Sequence, residues 1–504
     1  MVWALMQASV SANLDGYADM LESYAWGQTW VWGTFKHPPF FAWVAGLWFK
    51  VFPTAPWAFF VLAYTNVWFA LVAVVLLARR LGMGVLAFAC AQLLTLALPY
   101  TNLASKFNAN SMLVSIWPWM ALCMVASWQE KGAKAWLWAL ALGAFTAAGM
   151  LSKYYTALMM CTLLVAALLH PDGRRWLMRP LPWMALGVCA LLMWPHVQWL
   201  VAHDYPSITY VEKHGDGQVH WKFFLTFMAA PVLYWLPAWL TAVVAALRAT
   251  PSSEPVLKRW LGAAVAIWKP QGWQDSIFWL ALLPWFITLL FGISGAVLLS
   301  IHWVNPIGYA FGILWLRNLT EHMPDAQQQK VAQTIHRVWK WALAVVVVLG
   351  AAWGWVCVHD SKNPYNRPDA EGAQAVVQAW QAQHPAQTLR WVGGAWAFNG
   401  AIAFYVDNQV RVITGLPDVP PATIDPLPHW QQQAGLLFCP LGRVDDANQA
   451  QQLPATACDQ QAQQWLQQKG LPAQATTVVA KRSGWRFPNA PLYGYRFYSY
   501  SPVQ

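Results

Sequence analysis

The sequence predicts a polytopic α-helical membrane protein with a C-terminal soluble α/β domain, on three observations. Hydrophobic residues make up 58% of the 504, charged residues only 10%, and 37 are tryptophan. Apolar runs approaching the roughly 20 residues needed to cross a bilayer recur from 56 to 357. Basic residues crowd into alternate loops between those runs, and after Cys357 the composition turns Gln-rich and Pro-punctuated.

Taken in order, residues 1–12 are too short to span and lack the basic start of a signal peptide. They read either as the stub of a lost helix or as the sign of an upstream start. Next comes the acidic segment 13–43, NLDGYADMLESYAWGQTWVWGTFKHPPFFAW. The spacing of Asp15, Asp19 and Glu22 puts the three carboxylates on one helical face, with Leu14, Ala18, Leu21 and Ala25 forming an apolar stripe opposite. A solvated helix lying on the membrane accounts for the same pattern. So does chemistry, because a surface carboxylate can act as general base toward a hydroxyl or amine. Lys36-His37-Pro38-Pro39 follows. The prolines set a turn that can open a helix, and the basic pair before it can meet a phosphate with help from free helix N–H groups.

About ten apolar runs come next, near 56–78, 82–99, 110–127, 135–151, 155–169, 181–201, 222–247, 274–292, 299–316 and 339–357. One set of loops carries Arg79 and Arg80; Lys131 and Lys134; Arg174, Arg175 and Arg179; Arg248, Lys258 and Arg259; and Arg317, Lys330, Arg337 and Lys340. The positive-inside rule makes these cytoplasmic. Segment 13–43, the loops near 100–109 and 203–220, and the tail then share the outer side. The net charge of +10 is thus mostly a matter of orientation. No basic face with interleaved aromatics offers itself to nucleic acid.

The membrane domain is expected over 1–357 and a soluble domain over 358–504. In the tail, AEGAQAVVQAWQAQ, AWAFNGAIAFY and ACDQQAQQWLQQKG read as helices. TLRWVGG, QVRVITG, GLLFCP and LYGYRFYSY read as strands. Gly393-Gly394 lacks a GxGxxG fingerprint and reads as a strand-to-helix turn. Five of the seven cysteines lie in or beside apolar runs. Cys439 and Cys458 lie in the tail, where they either pair as a disulfide, if that side is oxidising, or stay free thiols; the sequence leaves both open.

Four outward segments carry polar groups that apolar packing does not explain. Besides 13–43 these are SKFNANSM at 105–112, with Lys106, Asn108 and Asn110; LSKYY at 151–155, with Lys153 and Tyr154; and the pair formed by 195–221 with SIHWVNP at 300–306. Lys153 either snorkels to the interface or neutralises a phosphate. His203, Asp204, Tyr205, Glu212, Lys213, His214 and His220 show no tetrahedral metal spacing, so no metal site is assigned. No cofactor is called for, a divalent cation being the one candidate held open. His302-Trp303 is expected to line a cavity.

In this order and on one side of the membrane, DGYADMLESYAWG, GTFKHPPFFAW, SKFNANSMLVSIWPW, GMLSKYYTAL, WLVAHDYPSITY and HWVNP resemble the GT-C glycosyltransferases. The likeness is to the dolichyl-phosphate-mannose–protein mannosyltransferase superfamily and its aminoarabinose-transferase-like branch, over 13 to about 317. The resemblance implies an acidic catalytic base in the first outer loop. One alignment gives Asp19 with Glu22 following, another Asp15. It also implies that His37 and Lys153 face a lipid-linked phosphate, with Lys36 and Lys106 nearby. Asn108, Tyr154, Asp204, His302 and Trp303 are the expected cavity and acceptor residues. Two departures stand out: relatives have a full transmembrane helix before the first outer loop, and many have a second acidic residue where this chain has Lys106-Phe107-Asn108.

The expected function is transfer of a sugar from a polyprenyl-phosphate donor to an envelope acceptor (a lipid A-type glycolipid, another glycan or a protein) at the outer face of a bacterial inner membrane. The alternative is a lipid-linked-sugar flippase or other transporter, which predicts inverted repeats and polar groups at mid-membrane.

Overall fold

The computed structural model describes residues 2–212, 217–413, 427, 429–484 and 486–502. Six helices among these are long and apolar enough to cross a membrane, or up to eight if each of two sharply bent helix pairs counts as one span. The straight ones include Pro56–Arg80, Ala109–Gln129, Pro180–Ala202 and Asp325–His359. The chain packs as two compact units. One comprises 1–35, 41–62 and 347–504, the other 36–40 and 63–346.

The larger unit holds most of the membrane helices. Ala109–Gln129 starts where Asn108 caps it: its Oδ1 accepts from the N–H groups of Asn110 and Ser111, and Ser111 returns the bond to the Asn108 N–H. Within the apolar layer, Asn66 donates to the Ser111 carbonyl at 2.7 Å and accepts from Ser115 Oγ at 2.5 Å. Such polar bonds fasten helices where lipid gives no hydrophobic incentive to associate. At the far end of the same helix Glu130 meets Arg80 at 2.8 Å. Basic loop residues therefore lie at one end of this helix and Asn108 and Asn110 at the other.

Fewer straight spans form than the ten apolar runs suggest, and prolines stand at three of the departures. Thr156–Leu169 turns by 110° into Pro171–Leu177, with His170 extended just before the proline. Gly84–Leu94 turns by 84° into Leu98–Ser105, where Pro99 sits. The run 299–316 becomes two short 3-10 turns, Ile301–Val304 and Ile307–Ala310, and a helix Phe311–Thr320. Pro306 between the turns denies the first its continuation.

The smaller unit is built on a five-stranded mixed sheet: β1 (Trp391–Gly394), β2 (Arg411–Val412), β3 (Gly435–Val444), β4 (Ala475–Lys481) and β5 (Leu492–Tyr500), in spatial order β2-β1-β3-β5-β4. β1 lies parallel to β2 and β3, while β5 runs antiparallel to β3 and β4. Side chains alternate across β5. Tyr495 reaches the Pro368 carbonyl beside helix Asp369–Gln383, while Arg496 and Tyr498 reach Asp459 in helix Ala457–Gln468 on the other face. Helices Asp369–Gln383 and Trp396–Tyr405 cover the first face, and Ala447–Gln452 with Ala457–Gln468 the second. The expected helices and strands are all present, and the ATTVVAK strand β4 is an addition. Gly394, at φ 104°, packs so closely on β3 that a Cβ would meet the Phe438 carbonyl at 2.4 Å, so the Gly-Gly pair is a strand-to-helix turn. Cys439 and Cys458 form a disulfide, with Cα atoms 5.7 Å apart.

Candidate active site

The acidic segment belongs to the smaller unit. Its helix runs Asp19–Gly27, so the three carboxylates do not share one helical face. Asp15 precedes the helix and accepts from the Asp19 N–H at 3.2 Å and the Met20 N–H at 2.8 Å. These are backbone donors that a helix start leaves without intrahelical partners. The chain enters through Ala18 at φ 63°, a left-handed conformation that costs a non-glycine residue about 1–2 kcal/mol. Asp19 and Glu22 then sit one turn apart, Glu22 buried and Asp19 half-buried.

The rest of the smaller unit fixes this helix. Tyr24 lies edge-on between Phe49 and Phe404, at 5.3 and 5.1 Å. Burial pushes its phenol pKa up, opposed by the hydrogen bond with Gln28, so it stays neutral at physiological pH. Gln28 donates to the Asn408 carbonyl at 2.9 Å, and Leu21 packs on Gly400. Upstream, Asn13 Nδ2 donates to the carbonyls of Pro364 and Arg367. The nine-residue helix Val2–Val10 lies along the 325–359 helix, with Val10 joining Cys357 and Tyr365 and Met6 against Gly350. Downstream, Gly27 meets helix Phe40–Trp48 backbone to backbone. A Cβ on Gly46 would fall 2.2 Å from the Gly27 carbonyl oxygen.

The basic segment belongs to the larger unit. Phe40 donates its N–H to the Leu151 carbonyl at 2.7 Å, tying the Lys36–Phe40 segment to the turn that carries Lys153. There Lys153 Nζ donates to Asn110 Oδ1 at 2.5 Å and stands 5.1 Å from the centre of the Trp303 ring. The half-buried ammonium thus has an amide acceptor and an aromatic face. Tyr155 stacks on Trp117, contacts Trp303 and hydrogen-bonds Thr288 at 2.6 Å. Tyr154 Oη lies 2.8 Å from both His196 Nε2 and Ser207 Oγ. Burial pushes its pKa up to about 12, with the Ser207 bond pulling the other way. The His37 ring lies edge-on to Tyr210, 6.2 Å between centres. Lys36, His37, Lys153, Tyr154 and Trp303 therefore gather on connected elements.

Other expected residues fare differently. Asn108 uses its amide oxygen as a helix cap. Lys106 sits in extended backbone just before it. His302 is half-buried next to Trp303. Asp204 is exposed, and it and Tyr205 occupy successive left-handed positions after helix Pro180–Ala202. Lys213 and His214 lie outside the described residues. Among those described, no three His, Cys, Asp or Glu side chains come together to hold a metal. The sequence reading passed over His196, fully buried in the Pro195-His196 step, and Tyr210, whose aromatic character alone gave no hint of His37.

Residues 36–199 match the family model for dolichyl-phosphate-mannose-protein mannosyltransferase. ArnT from Cupriavidus metallidurans in the apo state is 16% identical over 87% of this chain and 90% of its own, with a TM-score of 0.53. ArnT from the same organism bound to undecaprenyl phosphate is 14% identical over 98% and 96%, with a TM-score of 0.54. No curated protein sequence shows significant similarity. The chain is a multi-pass membrane protein of the GT-C fold, which it shares with ArnT, and its residues 36–199 are similar to the dolichyl-phosphate-mannose-protein mannosyltransferases.

Proposed function

We propose that this protein transfers a sugar from a polyprenyl-phosphate donor, undecaprenyl-linked in bacteria, to an envelope acceptor at the outer face of the inner membrane, where its C-terminal domain also lies. The observation that carries this reading is the seating of Lys153, an ammonium held by Asn110 and Trp303 beside the tethered His37 segment. A cation so held, at the opposite end of the membrane helices from the basic loops, suits the phosphate of a lipid whose tail lies in the bilayer. The similar ArnT structure with bound undecaprenyl phosphate adds support from outside the chain.

In the proposed reaction Lys153 and His37, with Lys36 and Lys106, neutralise the donor phosphate. Asp19 takes the proton of the acceptor hydroxyl as that oxygen bonds to the anomeric carbon. The carbon–oxygen bond to the phosphate breaks, its electron pair leaves with the phosphate, and one displacement inverts the centre. Asp19 is preferred to Asp15 because the run Glu22 to Gln28 matches relatives best with Asp19 as the aspartate, while Asp15 serves the helix start through backbone N–H groups. Glu22 shapes the local charge. Tyr154, Trp303 and His302 border the donor, with Asn108 setting the helix that carries Asn110 and Asp204 at the outer rim. Orientation and neutralisation of the leaving group supply most of the rate gain.

The test uses membranes supplied with labelled polyprenyl-phosphate sugar. Asp19→Asn is expected to lose about 100- to 10,000-fold in transfer while binding donor normally. Full transfer by the Asp15→Asn, Asp19→Asn double variant would sink the base assignment. Undiminished donor binding by Lys153→Ala would remove the phosphate role.

A further inference from the structure

The soluble domain holds a cavity of about 560 Å³ between the edge of its sheet and the helices on the second face. Gln451, Gln463, Thr476, Thr477, Arg496 and Tyr498 line it. Its size falls in the range of small-molecule sites, about 300–1,000 Å³. An amide- and hydroxyl-rich lining suits a ligand that both donates and accepts hydrogen bonds, and it penalises an apolar one.

The one charge in the lining is already committed. Arg496, 6% exposed, donates through Nη1 to Asp459 Oδ2 at 3.1 Å and the Pro454 carbonyl at 3.2 Å. Its Nη2 donates to the carbonyls of Ala450 and Leu453. Asp459, fully buried, accepts in turn from Tyr498 Oη at 3.0 Å and from the Thr456 N–H and hydroxyl. Gln463 donates to Tyr498 Oη at 3.3 Å, and Thr477 stands beside Arg496 on the same face, whereas the Thr476 hydroxyl turns to the first face and Gln383. A guanidinium with four acceptors, one of them a carboxylate, is a poor anion receptor. It acts instead as a brace that fixes the amides and hydroxyls in front of it, so their donors and acceptors are pre-oriented.

We propose that this groove binds an uncharged carbohydrate, the glycan portion of the acceptor. The proposal rests on the glycosyltransferase reading for the word acceptor but not for the binding itself. Pyranose hydroxyls donate and accept from the same atom, which matches the amides of Gln451 and Gln463 and the hydroxyls of Thr477 and Tyr498 and needs no charge. The acid helix packs on Trp396–Tyr405, on the other face of the sheet. The groove thus holds a part of the acceptor remote from the reacting hydroxyl, where binding energy can be used for orientation.

The experiment uses the full chain in detergent, without donor, and scores saturation-transfer NMR with chitobiose and cellobiose as neutral probes and inorganic phosphate as competitor. At least one disaccharide should give transfer that phosphate leaves unchanged. Thr477→Trp, which fills the groove, should abolish it. Thr477→Val, close to isosteric and compatible with the strand, should weaken it about tenfold, as for loss of one good hydrogen bond. Absence of transfer from both sugars, transfer undiminished in both variants, or displacement by phosphate would overturn the proposal. A chain that binds a disaccharide here yet moves no labelled sugar refutes the enzyme reading and leaves the groove standing. One that moves sugar but binds neither probe does the reverse.

Discussion

Replacing Asn110 separates a seated Lys153 from one that merely snorkels. An ammonium has three N–H donors, and one is directed at Asn110 Oδ1 over 2.5 Å while the Trp303 ring faces the same group at 5.1 Å. Asn110 is itself held, because its N–H donates to Asn108 Oδ1 at 2.9 Å. A hydrogen bond to a charged group is worth about 1.5–3 kcal/mol. If its work is to aim the ammonium at the leaving phosphate, Asn110→Ala should lower kcat by about 10- to 100-fold. Donor KM should change little, since the charge stays near. Asn110→Asp supplies a carboxylate partner instead, which keeps the lysine in place but offsets the charge offered to the donor, so its KM should rise. The assay is initial-rate transfer of labelled sugar at varied donor concentration, on variants matched for thermal unfolding and elution profile. Wild-type kinetics in Asn110→Ala would refute the seating argument. Identical losses in both variants would show that Asn110 acts on the helix and not on the lysine.

Three further outcomes are expected. Arg317 forks onto Asp275, whose side chain is 1% exposed and which also accepts from the N–H groups of Gln271 and Phe278. Arg317→Ala should therefore cost about 3–5 kcal/mol of stability, measured by thermal unfolding in detergent. Burial raises the Asp275 pKa, but Arg317 and the two N–H groups outweigh it and hold the carboxyl below its ordinary value. This stabilisation is complete above the unfolded pKa of about 3.9 and is lost as pH falls through the lower folded value. In Arg317→Ala the loss should begin at higher pH in an acid titration. Gly46→Ala should force the Asp19–Gly27 helix from its neighbour, because the new Cβ lands 2.2 Å from the Gly27 carbonyl oxygen; transfer should fall while donor binding, measured separately, persists. Reduction of Cys439–Cys458, which closes a 19-residue separation, should cost the soluble domain about 3 kcal/mol, seen as earlier unfolding under reductant.

The membrane class and most elements of the sheet domain were legible because they depend on local signals. Those signals are apolar length, loop charge, two-residue alternation and Gly-Pro punctuation. The bends at Pro171 and Pro306 were legible in principle, but hydropathy integrates over a window and does not see where a helix turns inside it. β4 is an edge strand and half-exposed, so its apolar content gave little warning. In the site, Lys153 and the Lys36-His37 turn stood out because charge is scarce in this chain. Their partners did not, since asparagine, tyrosine and tryptophan are common and only folding brings Asn110 and Trp303 to one ammonium.

The acid helix shows the same limit in a sharper form. Helical spacing made Asp15, Asp19 and Glu22 look equivalent, because a wheel assumes the helix has already begun. Asp15 is what begins it. Its carboxylate accepts from the Asp19 and Met20 N–H groups, and the left-handed Ala18 turns the chain into register. Nor does the sequence reveal that residues nearly four hundred positions away hold this helix, through Phe404, Gly400 and the Asn408 carbonyl. The acids are thereby carried by the soluble domain's unit and the cations by the membrane helices' unit. A substitution in the Trp396–Tyr405 helix that leaves Lys36, His37 and Lys153 untouched should therefore still lower transfer. Ala on Gly400, whose Cβ would press on Leu21 at 2.9 Å, is the smallest such change. With Gly400→Ala, unchanged transfer in a variant of normal stability would mean that the acids need no support from the domain behind them.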